Sequence, residues 1–322
     1  MELSLLEQVR ASCKAVAEKA IHVHINEDRI PSYAASLPLE QATFPELDPD
    51  RHYLGRGDDT VAFFLTLNTI NFGSGYFPHL RKRPGMSGYF TVASSLNDYY
   101  REHGPLSAHQ LIQLQAEDCA RIFGQDLRNE PVRELMQLFA TALRDLGQYL
   151  LDGFGGRFVG LVEAAGSSAE RLVHLLIQMP YFNDVEPYDG LAVPFYKRAQ
   201  LAAADLHFAF RGQGPGRFQD LDRLTLFADN LVPHVLRMDG ILRYEEPLTA
   251  RIKAEELIPA GSREEVEIRA CAVHAVELLA RELKRSGQDV TAMRLDYLLW
   301  NRGQQPYYKQ VQPRHRTRTV FY

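Results

Sequence analysis

Apolar residues recur at three- and four-residue spacing through most of this chain, and that period constrains its fold more than any other feature. Such spacing gathers side chains on one face of an α-helix. Residues 3–20 read as one amphipathic helix and 27–37 as a second. Residues 60–71 are apolar enough for a buried helix, whereas 38–59, rich in Pro, Asp and Gly, read as a long loop. Ser107 with Gln110 forms a capping box ahead of LIQLQAEDCARIF. Leu135, Leu138, Phe139, Ala142 and Leu146 mark a further helix, ended by DGFGGRFVG at 152–160. Ser168 caps a helix with Leu172, Leu175, Leu176 and Met179 on its apolar face. Residues 193–210 and 220–238 read as helices with RGQGPGRF as the loop between them. A long helix over 262–285 aligns Ile268, Cys271, Ala272, Ala275 and Leu279, and Thr291–Trp300 is a last short one. IHVHI at 21–25 alternates as a short strand does, but few other runs do, so a β-rich fold is excluded. With no repeat and no Ser/Gly/Pro linker, the expectation is a mostly α fold. It forms one compact domain over 1–322, with scope for two lobes.

Charge and cysteine content narrow the function. Lys and Arg number 36 against 41 Asp and Glu, a net charge of −5. Proteins that live on nucleic acid carry a basic excess, so a small ligand is the better expectation and no stable nucleic-acid partner is. Cys13, Cys119 and Cys271 lie in apolar helical patterns without any CxxC, which predicts buried inert thiols and neither zinc nor a disulfide framework. No run approaches 18 apolar residues, and the first twenty residues lack a positive stretch followed by an apolar one. The expectation is therefore a cytoplasmic protein without a membrane partner.

Several segments carry chemistry. His22 and His24 share one strand face, a spacing that suits a metal, but a third ligand is not identifiable. His274 and Glu277 reverse the order of a helical di-iron motif and lack a second copy, so a polar stripe is the better reading. DGFGGRFVG follows a helix and lacks the Lys-Ser/Thr of a phosphate loop, which favours a helix stop. The glycines of NFGSGYFP allow positive φ or a close ligand approach, with Phe72 and Tyr76 beside them as stacking or core aromatics. FYKRAQ places Lys197 and Arg198 inside an apolar run, and a buried ammonium needs a carboxylate or a phosphate. FADNLVP sets Asp229 in an apolar run too, either as a helix cap ahead of Pro233 or as a dry negative charge for catalysis. In DYLLW, Asp296 and Trp300 share a helix face, as a heterocycle-binding pair or a structural anchor.

The order NTINF, SGY, FGGxF, SAERL, FYKRAQ, FADNLVP, EVEIRACAV, DYLLW and HRTRTVFY, from about Asn68 to Tyr322, resembles the queuosine salvage family. Where that family tends to carry an acidic residue ahead of its TLNF-like segment, this chain has Asn68. The resemblance implies a helical fold similar to helix-hairpin-helix DNA glycosylases, with LTLFADNLVPHVL in the hairpin position. It implies hydrolysis of the N-glycosidic bond of queuosine 5′-monophosphate to release queuine, with no metal and no cofactor. It assigns Asp229 as the catalytic carboxylate facing C1′. The substrate-binding candidates are Asn71, Phe72, Lys197, Phe227, Arg269, Asp296 and Trp300. Asp296 is the candidate acceptor for the N–H edge of the base, Phe72, Phe227 and Trp300 are stacking candidates, and Lys197, Arg198 and the C-terminal arginines are available to the phosphate. A non-catalytic binder of queuine or a nucleotide, and a nucleic-acid glycosylase, are the competing readings.

Overall fold

The computed structural model describes residues 3–41 and 47–322. It exposes 13,975 Å², close to the ~13,500 Å² that a compact chain of this mass keeps in water.

α1 (Leu5–Lys19) buries Leu6, Val9, Cys13 and Val16, with Glu7 reaching back to the Ser4 N–H at 3.2 Å. β1 (Val23–Ile25) follows where the alternation predicts a strand, then α2 (Ile30–Ser36) after a 3-10 turn. α3 (Asp58–Thr69) is buried from Thr60 onward, as its apolar run predicts. α4 (Gly88–His103) starts at a Ser87 cap. The Ser107 capping box forms, but the single helix expected behind it is two. α5 (Ala108–Leu111) stops after one turn, and α6 (Ala116–Phe123) restarts because Asp118 captures the Gln115 N–H at 2.9 Å. α7 (Glu130–Phe154) ends in left-handed Gly155, φ 60°, so DGFGGRFVG is a helix stop. α8 (Phe158–Ala164) leads to α9 (Ala169–Leu176), capped by Ser168 as expected.

Two expected helices are cut short. The start of 193–210 belongs to a hairpin of β2 (Val185–Tyr188) and β3 (Leu191–Pro194), paired antiparallel with Tyr188 opposite Leu191. Asp189 and Gly190, φ 46° and 79°, form the two-residue turn that right-twisted strands require. α10 (Lys197–Ala209) begins only after Tyr196, itself held at φ 50°. Within 220–238 only α11 (Val232–Met238) is an α-helix. Side chains take the backbone donors before it: Gln200 accepts from Thr225 at 2.8 Å, Asp296 from Phe227 at 3.1 Å and Asp229 from Leu231 at 2.7 Å. LTLFA is apolar because an extended run is buried on both sides, a pattern that period alone does not separate from a helix.

β4 (Leu242–Tyr244) pairs antiparallel with β1. α12 (Glu246–Lys253), α13 (Arg263–Arg285), α14 (Ala292–Arg302) and α15 (Pro306–Gln310) complete the chain. α13 is the hub, lying against α1, α2, α11, α14 and β1. On its buried face the Glu267 carboxylate accepts the N–H groups of Ile21, His22 and Val23 at 3.1, 2.6 and 3.1 Å, and the Tyr188 hydroxyl at 2.9 Å. Glu277 pairs with Arg10 at 3.0 Å and His24 contacts Glu245 at 3.1 Å. Among the described residues no three His, Cys, Asp or Glu side chains converge as a metal site, and no helix is long and apolar enough to cross a membrane. All three cysteines are free and buried.

The last residues thread back through the molecule. The Tyr322 carbonyl accepts the Gly73 N–H at 3.0 Å, and a side chain on Gly75 would overlap the Thr317 carbonyl. The glycines of NFGSGYFP thus admit the chain's own tail.

Candidate active site

Three segments distant in sequence bring a set of charges together. α10 supplies the first. Its opening residues Lys197 and Arg198 are both buried, with different neighbours. Arg198 donates to the carbonyls of Asn68, Thr69, Tyr181 and Val320. It is thereby fixed as a strut between α3, the hairpin approach and the tail. Lys197 has no carboxylate within ion-pair distance among the described residues. Burial lowers its pKa, and the charges of Asp229, then Asp296 and Asp205, raise it back. Asp205 lies two turns further along α10, its Oδ2 accepting the Asn68 amide at 2.8 Å.

The extended run before α11 supplies the second. Asp229 turns one oxygen, Oδ1, to the N–H groups of Leu231 and Val232 at 2.7 and 3.2 Å. That is the capping arrangement, and it leaves Oδ2 without a hydrogen-bond partner among the described residues. Phe227 is buried, with its ring edge-on to Tyr297 at 6.0 Å.

α14 supplies the third. Asp296 is 4 % exposed and its Oδ1 accepts the Phe227 N–H at 3.1 Å. Burial, and then the charge of Asp229, push its pKa well above the usual carboxylate range, which favours the protonated form. Trp300, one turn on, meets Tyr89 and Phe90 edge-on at 6.3 and 6.0 Å. Burial and the Asp205 charge likewise push up the hydroxyls of Tyr297 and Tyr89. The carboxylates therefore sit among aromatic rings that are only partly buried, Tyr89, Tyr297 and Trp300. Arg314 of the tail stands in the same field. Surrounding protein lowers its pKa, Asp229 raises it, and its side chain still reaches water.

Arg269 lies behind this set. It is fully buried, with two nitrogens on Asp184 at 2.9 and 2.6 Å and Nε on the Ala228 carbonyl at 3.2 Å. Its guanidinium lies over Phe195 at 3.9 Å and Tyr322 at 4.8 Å, with Glu265 3.6 Å away. Asp184 also accepts the Lys197 N–H at 3.3 Å. One buried ion pair thereby fixes the residue before Asp229 and the backbone of Lys197, so Arg269 is a positioning residue whose three nitrogens are all engaged.

Of the residues singled out from sequence, Lys197, Phe227, Asp229 and Asp296 come together, with Trp300 on the helix of Asp296. Phe72 stands elsewhere, 1 % exposed, edge-on to Phe139 at 5.1 Å and under Arg198 at 4.9 Å. Asn71 is half-buried beside it. Sequence reasoning passed over Asp205, Tyr89 and Tyr297. Asp205 had a signal, a lone carboxylate in LAAADLHFAF eight residues after Lys197 and so on the same helix face. Tyr89 and Tyr297 had none.

The sequence profile of a family described as "Queuosine salvage protein" matches residues 51–322. A protein of Sphaerobacter thermophilus named queuosine 5′-phosphate N-glycosylase/hydrolase is 38% identical over 98% of this chain and 97% of its own length. Proteins of the same name from Bos taurus and Dictyostelium discoideum are 31% and 34% identical, over 97% and 82% of this chain and 98% and 78% of theirs.

Proposed function

The chain belongs to the queuosine salvage protein family, and on that footing we propose that it hydrolyses the N-glycosidic bond of queuosine 5′-phosphate. Water adds its oxygen to C1′, the C1′–N9 bond breaks with its electron pair passing to the base, and N9 gains a proton. The products are queuine and ribose 5-phosphate. One observation carries this reading: Asp229 has an oxygen uncommitted among the described residues, in a site where burial pushes the neighbouring Asp296 carboxyl well up and no ion pair among those residues closes on Lys197 or Arg314.

Bond cleavage builds positive charge on the ribose. A carboxylate oxygen already fixed by two backbone N–H groups on its other side meets that charge without reorganising. Purine N7 protonation is closed to a 7-deazapurine, so the base must leave by other help. The raised pKa of Asp296 favours its acid form, which donates towards the base as negative charge builds there, while Asp229 turns its free oxygen to the ribose. Lys197 feels the charges of Asp229, Asp296 and Asp205 and supplies the site with a counter-charge. Arg314, with Asp229 as its one carboxylate neighbour, takes the 5′-phosphate. Trp300, Phe227 and Tyr297 offer ring faces and edges to the flat base. The likeness to helix-hairpin-helix glycosylases belongs to this proposal also, with the turn at Asp229 into α11 as the hairpin.

The test is direct. Incubated with queuosine 5′-monophosphate, the protein should release free queuine, and Asp229→Asn should not. Binding without release in the wild type would return the protein to the non-catalytic reading.

A further inference from the structure

Asp205 has no part in the chemistry just described, yet it is a carboxylate that the fold has taken trouble to bury. It sits 6 % exposed on α10, and the Asn68 amide fixes its Oδ2 at 2.8 Å. The other hydrogen of that amide goes to the Phe64 carbonyl at 3.1 Å. Both donors of Asn68 are therefore spent, which settles the orientation of the amide. Its carbonyl oxygen is left buried, in a residue with no exposed surface, without a partner among the described residues. The Tyr297 hydroxyl, buried beside the same carboxylate, also lacks a hydrogen bond of good geometry. A folded interior rarely leaves such acceptors unmet. A buried orphaned oxygen, with a hydroxyl poorly aligned on the carboxylate beside it, marks a place where a ligand completes the network.

The sign of the missing group follows from what is there. Asn68 offers a carbonyl oxygen and Asp205 a carboxylate oxygen, so the site lacks donors. Asp205 titrates at about 6, raised by burial and drawn back down by Asn68, Lys197 and Tyr297, so it is mostly charged at neutral pH. The partner is thus a nitrogen group with two N–H donors. We propose that Asp205, Asn68 and Tyr297 form the subsite that reads paired N–H donors on the base. This rests on the glycosylase reading and reassigns base recognition from Asp296 to Asp205. Asp296 is less suited to that task, because its Oδ1 is taken by the Phe227 N–H.

Queuine carries two groups of this chemistry, the guanine-like N1–H/2-NH₂ edge and the ammonium of its 7-aminomethyl substituent. Both are tested by one set of measurements. Queuine release from queuosine 5′-monophosphate by the wild type is measured first, since its absence sinks the glycosylase reading and says nothing against the subsite. The Kd values of free queuine and of 7-deazaguanine, which lacks the substituent, are then compared for wild type and Asp205→Asn. Replacing an acceptor by an amide should weaken queuine by about 100-fold or more, because a polar site built for one partner rejects its mismatch strongly. Equal losses for both bases place the ring edge on Asp205, and a loss confined to queuine places the ammonium there. An unchanged Kd for both bases in a folded variant overturns the proposal. If Asp205→Asn does not fold, Tyr297→Phe decides: a queuine Kd raised several-fold supports the subsite, and an unchanged one removes it.

Discussion

Two clusters of buried charge meet at Ala228 and Asp229, and they are built on opposite rules. In the first, Arg269, Asp184 and the Ala228 carbonyl satisfy one another completely, and two aromatic rings cover the guanidinium. In the second, Lys197, Asp229, Asp296 and Asp205 feel one another's charge, but no ion pair closes between them. A closed cluster spends its charge on holding backbone in place. An open one keeps its charge for a ligand, and the strain of keeping it is visible as displaced pKa values and unmet polar atoms. The comparison teaches that burial alone does not leave a charge available to a ligand; burial without completion does.

The sharpest way to break this contrast is to truncate each cluster and read stability and activity separately. Arg269→Ala should lower folding stability by about 3–5 kcal/mol, since it strands the Asp184 carboxylate in the interior. Urea unfolding measures this, and a loss under 1 kcal/mol would make the closed cluster ornamental. Asp229→Asn should instead leave the unfolding midpoint in place while lowering kcat on the order of 10²–10³-fold. Asn keeps the oxygen that caps Leu231 and Val232, so only the charge is lost. A variant with near wild-type turnover would show that the open cluster is not the catalytic one.

A third measurement uses pH. The native carboxyl of Asp205 holds its proton up to about 6, while the unfolded chain gives it up near 4. Between those values the folded state binds the extra proton, so this residue makes stability fall as pH rises from about 4 to 6 and adds no further loss above. The two-unit difference corresponds to about 3 kcal/mol at most. Unfolding of wild type and Asp205→Asn at pH 4 and pH 7 isolates it: the variant should gain on the wild type at the higher pH. An equal gap at both pH values would mean that Asp205 is not strained in the free protein.

The smallest effect separates the two oxygens of Asp229. Asp229→Ala should match the Asn variant in lost turnover but cost about 1 kcal/mol more in stability, because the cap goes too. Equal stability of the two variants would deny Oδ1 its capping role.

How much of this could be read from sequence depended on whether one period decided the element. α1, α7, α9, α13 and α14 lie where their three-four spacing put them, and Ser168 caps where its position predicts. Two failures are 224–231 and 193–196, where an apolar stretch is buried outside any helix. Nothing local distinguishes LTLFA from a helix; what decides it is Gln200 and Asp296 arriving from elsewhere in the chain to take its N–H groups. The same holds for the site. Lys197, Phe227, Asp229 and Asp296 were legible because a charge or an aromatic in a patterned run stands out. Tyr89 and Tyr297 were not, since an aromatic in a helix gives no sign of facing a pocket. Arg269 entered only as a substrate-binding candidate implied by the resemblance, and its neighbours reveal that it serves the backbone.

The grip of Glu267 on three N–H groups at the entry to β1 also bears on how the protein is made. The carboxylate and His22 are 245 residues apart in sequence. A ribosome adding roughly 5–20 residues each second needs on the order of 10–50 s to bridge that interval. Throughout that time α1 has emerged with Leu6, Val9, Cys13 and Val16 along one side and without the helix that buries them. The newborn chain therefore carries the apolar side of α1 without its α13 cover until α13 leaves the exit tunnel.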